Sequence, residues 1–498
     1  MDNIVIWITI AVYIAVIAFI SIKNSKQVSG LTSFTVGGRN AGPWLSAFSY
    51  GTTYFSAVIF IGYAGKTGWG FGLWGVLVGI GNALIGSLLA WIVLAKRTRE
   101  TTQRLKIKTM PEFFNSRYNS KGIKVFAAII IFVFLIPYSA SVYSGLGYLC
   151  SMVLNVNYEA CMAIIAVAAA LSLVFGGYLA TLKIDFFQGI VMIVGILTLV
   201  GFIVFRGPVA DSGGLPAVWD KMAEFNMQSP SKDAWISLIS LVLLTSVGTW
   251  GLPQMIHKYY GIKDDKSVKT GTIVSTFFCF IIAGGAYFIG SLSRMFFTEM
   301  PKEGADSIVP LMLNNADLNL PKVLLGLVLV LVLAASVTTL SGLTLTSASS
   351  ISMDIIKSFL WKNISDKTAL LLTRLLCLAF IAFSYCVAVF KIEAILNLMA
   401  LSWGVVAGSF LAPYVIALYW KGANKLGAWA AMLGGFGICI GLNLKDIIEA
   451  GKFAVPNAPL NGAIAMGSSI VLCVVFSLIA KAFKMKCAEE NKVFYNIG

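Results

Sequence analysis

The chain has 498 residues, 58% hydrophobic and only 12% charged, with a mean hydropathy of +0.85 and a net charge of +15. Soluble proteins carry about a quarter charged residues, so an ordinary soluble protein is excluded. The basic excess reads as a positive-inside bias, with no nucleic acid among the expected partners.

Apolar runs of about 20 residues recur along the whole length, and no extended alternating pattern points to a barrel. The class is an all-α integral membrane protein. Thirteen spans are predicted near 4–22, 44–66, 72–95, 122–150, 159–181, 185–207, 235–258, 269–298, 321–350, 368–390, 393–420, 425–446 and 460–485. The first run follows Asp2 rather than a basic stretch, and no small-residue cleavage site follows it. It therefore reads as a retained helix. Nine of the 37 Lys and Arg lie between Lys96 and Lys124. That bias and the odd span number place the N-terminus outside and the C-terminus inside a plasma membrane, in contact with lipid. "KTMPEFFNSRYNSK" (Lys108–Lys121) predicts a short cytoplasmic helix begun near Pro111. Residues 486–498 read as a polar cytoplasmic tail. No loop is long enough for a separate soluble domain, so 1–498 is one unit, expected to work as a monomer.

The eight cysteines are scattered without a C-x-x-C pair, and the one histidine, His257, abuts Lys258 at a span end. A disulfide framework, a zinc site and a histidine-based triad are all unsupported, and His257 reads as an ordinary interfacial residue.

Two spans are interrupted. Ser49-Tyr50-Gly51-Thr52-Thr53-Tyr54 is small, polar and poor at holding a helix, yet lies in mid-span. The segment "TSVGTWGLP" (Thr245–Pro253) has Gly248 and Gly251, and Pro253 removes a donor. The two breaks are five spans apart, so each can begin a five-helix half. Interrupted helices at matching places in two halves point to a transporter's binding site, where freed carbonyls meet a cation. Close helix packing through small residues is the competing explanation for either break alone. A third polar stripe, "LAASVTTLSGLTLTSASS" (Leu333–Ser350), carries adjacent Thr338 and Thr339. Sodium is a hard cation that takes oxygen ligands, and two hydroxyls beside freed carbonyls can supply them. Such residues also commonly bond back to their own helix.

Several stretches resemble the sodium/solute symporter family, closest in pattern to bacterial sodium/proline symporters. They are "GGRNAGPWLSAFSYGTTYFSAVIFIG" (Gly37–Gly62), "TMPEFF" with "RY" (Thr109–Tyr118), "FGGYLATLKIDFFQG" (Phe175–Gly189), "VLAASVTTLSGL" and "LSWGVVAGSFLAPYVIALYW" (Leu401–Trp420). The resemblance runs over most of residues 4–440 and implies a LeuT-like 5+5 inverted repeat with broken helices. The halves would be 44–207 and 235–420, with 4–22 and 425–485 peripheral. It implies a sodium site of the Thr52, Phe55 and Ala335 carbonyls with the Thr338 and Thr339 hydroxyls. A second sodium position would involve Asp185, Thr338, Ser341 and Gly342, although Gly342 brings no hydroxyl. Asp185, near the start of the sixth span, equally suits a helix-capping carboxylate. Arg39 matches a family arginine placed to gate the inner mouth, and lipid headgroups offer it another partner. Tyr138 and Pro253 match solute-facing positions of the proline symporters. Thr245 and Thr249 stand where those proteins have aromatics, and Tyr54 replaces an acid. A solute pocket of Tyr54, Ser56, Tyr138, Thr245, Thr249, Trp250, Pro253 and Trp403 would be small, partly aromatic and uncharged.

The function this implies is sodium-coupled symport of a small organic solute by alternating access, with Na+ as coupling ion. A proline-like amino acid or a small organic acid fits best; sialic acid, a sugar or polyol, and a pantothenate-like vitamin are alternatives. A channel needs a repeated pore loop or charged ring, a sensor needs an output domain, and an enzyme needs a catalytic cluster. None is visible in the sequence.

Overall fold

The computed structural model describes residues 4–25, 30–391 and 394–485. The predicted tail at 486–498 lies outside the described residues. In chain order the main helices begin with α1 (Ile4–Ser25) and α2 (Pro43–Tyr54). A π-helical turn, Val58–Tyr63, leads into α3 (Ala64–Phe71). Next is α4 (Val76–Gly81), continued through wide turns Asn82–Leu89 and Trp91–Ala95 into α5 (Lys96–Arg104). Then come α6 (Met110–Tyr118), α7 (Lys121–Leu154), α8 (Tyr158–Ala170), α9 (Gly177–Phe205) and α10 (Lys232–Ser246). The series closes with α11 (Pro253–Tyr260), α12 (Asp265–Ser291), α13 (Ile308–Leu313), α14 (Lys322–Ser349), α15 (Asp366–Val389), α16 (Ile395–Tyr419), α17 (Lys425–Ala450) and α18 (Ala458–Ala482).

Among the described residues, 11 helical runs are long and apolar enough to cross a membrane. One of them, Val58–Arg104, joins the far half of the second predicted span to the third. The fifth predicted span is a shorter apolar helix, Tyr158–Val174. These two account for the thirteen spans predicted. Helices are the elements that survive lipid here because each backbone donor finds an acceptor in its own segment.

Burial separates the centre from the rim. The apolar windows of α16 and of the run containing α14 are 89% and 83% buried, against 28% for α1 and 33% for α18. A helix apolar all round belongs in the middle, and α14 adds the small polar stripe that permits close approach.

The predicted short helix near Pro111 is α6. Thr109 Oγ1 accepts from the Glu112 amide at 3.2 Å, and Glu112 Oε2 accepts from the Lys108 amide at 2.8 Å. Both bonds satisfy donors that a helix start leaves open. Thr109→Ala is expected to cost about 1 kcal/mol, read as a lower thermal midpoint of the purified protein.

Two boundaries differ from expectation. The fifth and sixth predicted spans part at Gly176–Gly177, where Gly177 takes φ +61°, and not at 181–185. Asp185 is consequently well inside α9 and buried, so it does not cap a helix start. His257, expected at the interface, is buried, edge-on to Tyr178 at 5.2 Å and tilted against Tyr260.

Candidate functional site

Both interruptions are present. α2 stops at Tyr54, where Phe55 turns extended at φ −107°, ψ 109°, and the Ser56 hydroxyl accepts from the Val58 amide at 3.2 Å. The second break is a tight turn, Gly248–Gly251, followed by Leu252 in extended geometry before Pro253. The residue before a proline is driven out of the helical region, so this stop is written in the sequence.

A helix end frees its last carbonyls. The Phe55 amide still reaches the Gly51 carbonyl at 3.2 Å, which leaves those of Thr52 and Thr53 next in line. α14 brings its threonine pair to meet them. Thr338 Oγ1 lies 3.0 Å from the Thr52 carbonyl and 3.1 Å from those of Ala334 and Ala335. Thr339 Oγ1 lies 3.2 Å from the Thr53 carbonyl and 3.0 Å from that of Ala335. The two freed carbonyls, of Thr52 and Thr53, thus each face one threonine hydroxyl, while those of Ala334 and Ala335 also accept within α14, and the place is wholly buried. A cluster of uncharged oxygens at a helix break suits a hard cation, which would turn each hydroxyl lone pair inward. Four of the five residues expected here, Thr52, Ala335, Thr338 and Thr339, converge. Phe55 stands at the break itself. The Thr53 carbonyl is the partner that sequence reasoning missed; its signal was that α2 ends one residue later.

The expected solute residues gather beside the break. The Tyr54 hydroxyl donates to the Thr245 carbonyl at 2.5 Å, and its ring stacks on Phe55 and lies 6.3 Å from Trp403. Tyr138 meets Trp403 edge-on at 5.6 Å and neighbours the Ser56 hydroxyl. Thr249 bonds back to the Ser246 carbonyl at 2.8 Å, and Trp250 Nε1 donates to the Ile85 carbonyl at 3.1 Å. Pro253 opens α11 just past the second break. All but Trp250 are buried. Asn82 was not anticipated: its Oδ1 accepts from Ser246 at 3.0 Å, while its Nδ2 is buried without a partner among the described residues. Trp403 Nε1 is likewise unpartnered. An amide in the apolar run "VLVGIGNALIG" was the available signal.

Hydrogen bonds tie elements together at both ends of the bundle. At the basic end, Arg39 donates to the Thr102 and Ile107 carbonyls at 2.5 and 2.7 Å. Partial burial lowers its pKa from the ordinary arginine value, opposed by the field of Glu112. Ala41 pairs with Gly261 and Lys263 through two backbone bonds of 3.0 Å, joining the entry of α2 to the exit of α11. At the opposite end Lys66 reaches Asn397 at 3.1 Å, and Asp306 accepts from the Ile395 amide at 3.0 Å.

Two of the four members of the expected second cation position, Ser341 and Asp185, have separate partners. Ser341 shares a 2.8 Å bond with Ser172, whereas Asp185 is bonded by Ser49 and lies 3.4 Å from the Lys258 ammonium.

Residues 34–435 match the family described as "Sodium:solute symporter family". The chain belongs to that family. It is a sodium-coupled solute symporter, a multi-pass membrane transporter and not an enzyme. Among similar proteins are the sodium/proline symporter 2 of Staphylococcus saprophyticus, 28% identical over 86% of this chain and 84% of that one, and the high-affinity proline transporter PutP of Bacillus subtilis, 28% identical over 82% and 86%. A solved sodium-coupled sialic acid symporter superimposes with a TM-score of 0.77 at 17% identity, covering 98% of this chain and 99% of that one. Mhp1, a nucleobase–cation symport-1 transporter, follows at 0.51 and 14%, covering 90% and 95%. At such identities the superpositions carry the fold, which is LeuT-like with broken helices, as the resemblance implied.

Proposed function

We propose that this symporter imports a small zwitterion or organic acid, a proline-like amino acid first, with sodium held by Thr52, Thr53, Ala335, Thr338 and Thr339. The meeting of the carbonyls freed at the α2 break with the threonine pair of α14 is the observation that carries this reading. The cage adjoins the aromatic wall of Tyr54, Tyr138 and Trp403, so ordering α2 around sodium also sets the wall that meets the solute. By linkage, solute and sodium then raise each other's affinity by the same factor. The Trp403 indole N–H, without a partner among the described residues, offers a hydrogen bond to a solute carboxylate, and no charged side chain among the named wall residues competes for it. Relatives named as proline symporters support the amino acid; a small uncharged wall suits it better than a polyhydroxylated sugar acid.

The first five-helix half spans 44–207 and the second 235–420, with α1, α17 and α18 peripheral. The basic end, carrying α5 and α6, faces the cytoplasm, so the N-terminus is outside and the C-terminus inside. Sodium entering down its gradient drives the cycle, each charge contributing about 2.3 kcal/mol per 100 mV. Arg39 latches the cytoplasmic mouth until that end opens.

A thermal-shift screen of amino acids, monocarboxylates, sialic acid, sugars and pantothenate, each with and without sodium, tests the proposal. Proline is expected to raise the midpoint, and more so with sodium; a ligand at 100 times its Kd adds about 2.7 kcal/mol. Uptake into proteoliposomes that follows a proton gradient and ignores sodium would overturn it.

A further inference from the structure

A carboxylate that stays ionised inside a membrane protein requires a cation beside it. Asp185 sits in mid-α9 with 1% of its surface exposed. Its Oδ2 accepts from the Ser49 hydroxyl of α2 and lies 3.4 Å from Lys258 Nζ, in the last turn of α11. The same ammonium donates to Ser49 Oγ at 2.8 Å. Lys258 is 4% exposed and Ser49 is fully buried. The ammonium is 5.7 Å from the Tyr178 ring centroid, and the next residue back, His257, packs edge-on to that ring. Three elements therefore close around one carboxylate, one hydroxyl and one ammonium.

A lysine ammonium is a compact point charge on a four-carbon tether, closer to a metal cation than the planar arginine fork is. Where it lies, it meets the oxygens a free cation would take: a carboxylate oxygen and a serine hydroxyl. Ser341, which could have completed such a cation site, is instead bonded to Ser172. We propose that Lys258 is the resident cation of Asp185, standing in place of a second sodium, and that the protein binds a single sodium, at the Thr338–Thr339 cage. This rests on the sodium reading of that cage. It also gives the coupling: with one sodium and a zwitterionic solute, each cycle carries one positive charge.

Equilibrium binding of radioactive sodium to the purified full-length protein, without solute, counts the sites. Wild type is expected to bind one sodium per chain along a simple hyperbola, and Thr339→Ala to leave that site largely empty at sodium concentrations that fill the wild type. Lys258→Met leaves the Asp185 carboxylate without a counter-cation, its Ser49 bond intact, and is expected to bind two. Lys258→Met combined with Thr339→Ala is expected to retain one, whereas Lys258→Arg stays at one. Adding Asp185→Asn to Lys258→Met returns the count to one. Two sodium ions on the wild type, or one on a monodisperse Lys258→Met, overturns the inference and leaves the cage standing. No sodium on the wild type removes the cage reading and this inference with it. Should Lys258→Met not give a monodisperse protein, Lys258→Gln replaces it, and the wild-type count alone separates one site from two.

Discussion

Thr339→Ala is expected to weaken sodium binding about 10- to 100-fold, since an interaction between a hydroxyl and a charge is worth about 1.5–3 kcal/mol and each 1.4 kcal/mol is about tenfold. The effect follows from the shape of the cage. Thr339 Oγ1 is the one side-chain oxygen placed against the Thr53 carbonyl, and it also faces Ala335. Alanine removes that ligand and leaves the Thr53 carbonyl without a donor when sodium is absent, so part of the loss is a looser α2 end. Thr339→Ser separates the two causes, because it keeps the oxygen and drops only a methyl group. Its sodium half-saturation should stay within about threefold of wild type, a cost under 1 kcal/mol. Thr338→Ala should act in the same direction, as Thr338 faces three carbonyls. Sodium titrations of binding, or of uptake once the solute is known, give the half-saturation directly. An unchanged half-saturation in Thr339→Ala would show that the cage is ordinary helix-to-helix hydrogen bonding.

What was legible in the sequence follows from which forces act locally. Spans are set by runs of apolar residues, and the break at Pro253 by a missing amide, so both could be read without contacts. The threonine pair on α14 was visible as a stripe, and the polar mid-span stretch at Ser49–Tyr54 located its counterpart. The Thr53 carbonyl was not, because which carbonyls are free depends on where α2 stops to within a residue. The start of α9 was misplaced for a related reason. Hydropathy passes smoothly through Phe175–Lys183, and only the positive φ of Gly177 reveals the turn. That shift moved Asp185 from a helix start into a buried pair. Lys258 was the least legible of all. A lysine near a span end normally snorkels to water, and nothing local distinguishes one that folds inward onto a carboxylate 73 residues away in sequence. In the proposed solute wall the aromatics stood out by type, whereas the bond between Asn82 and Ser246 could not be read from the sequence.

Gly290→Ala is expected to destabilise the protein by about 2–3 kcal/mol or more, the upper range for overpacking, because the atoms struck cannot rotate away. A Cβ at Gly290 would overlap the Ala64 carbonyl group, and a Cβ at Gly68 would overlap the Gly290 carbonyl group. The contact is reciprocal: α3 and α12 meet backbone to backbone, with no side chain between them. Membrane helices lack a hydrophobic force to hold them together, and such bare approaches supply the packing in its place. α3 is the far half of the interrupted span, joined through Val58–Tyr63 to Ser56 and the α2 break. Pushing it off α12 therefore also disturbs the α2 end at the proposed sodium cage. Gly284, on the same helix, is the matched control, since a Cβ there meets nothing within 4 Å. Gly284→Ala should be neutral or stabilising by up to about 1 kcal/mol, the usual gain on replacing a helix glycine. Thermal midpoints and sodium titrations of both variants decide the matter. Gly290→Ala should lose midpoint and sodium affinity together, while Gly284→Ala loses neither. Equal behaviour of the two would mean that α3 and α12 are not in bare contact, and the path from helix packing to the cation cage would have to run elsewhere.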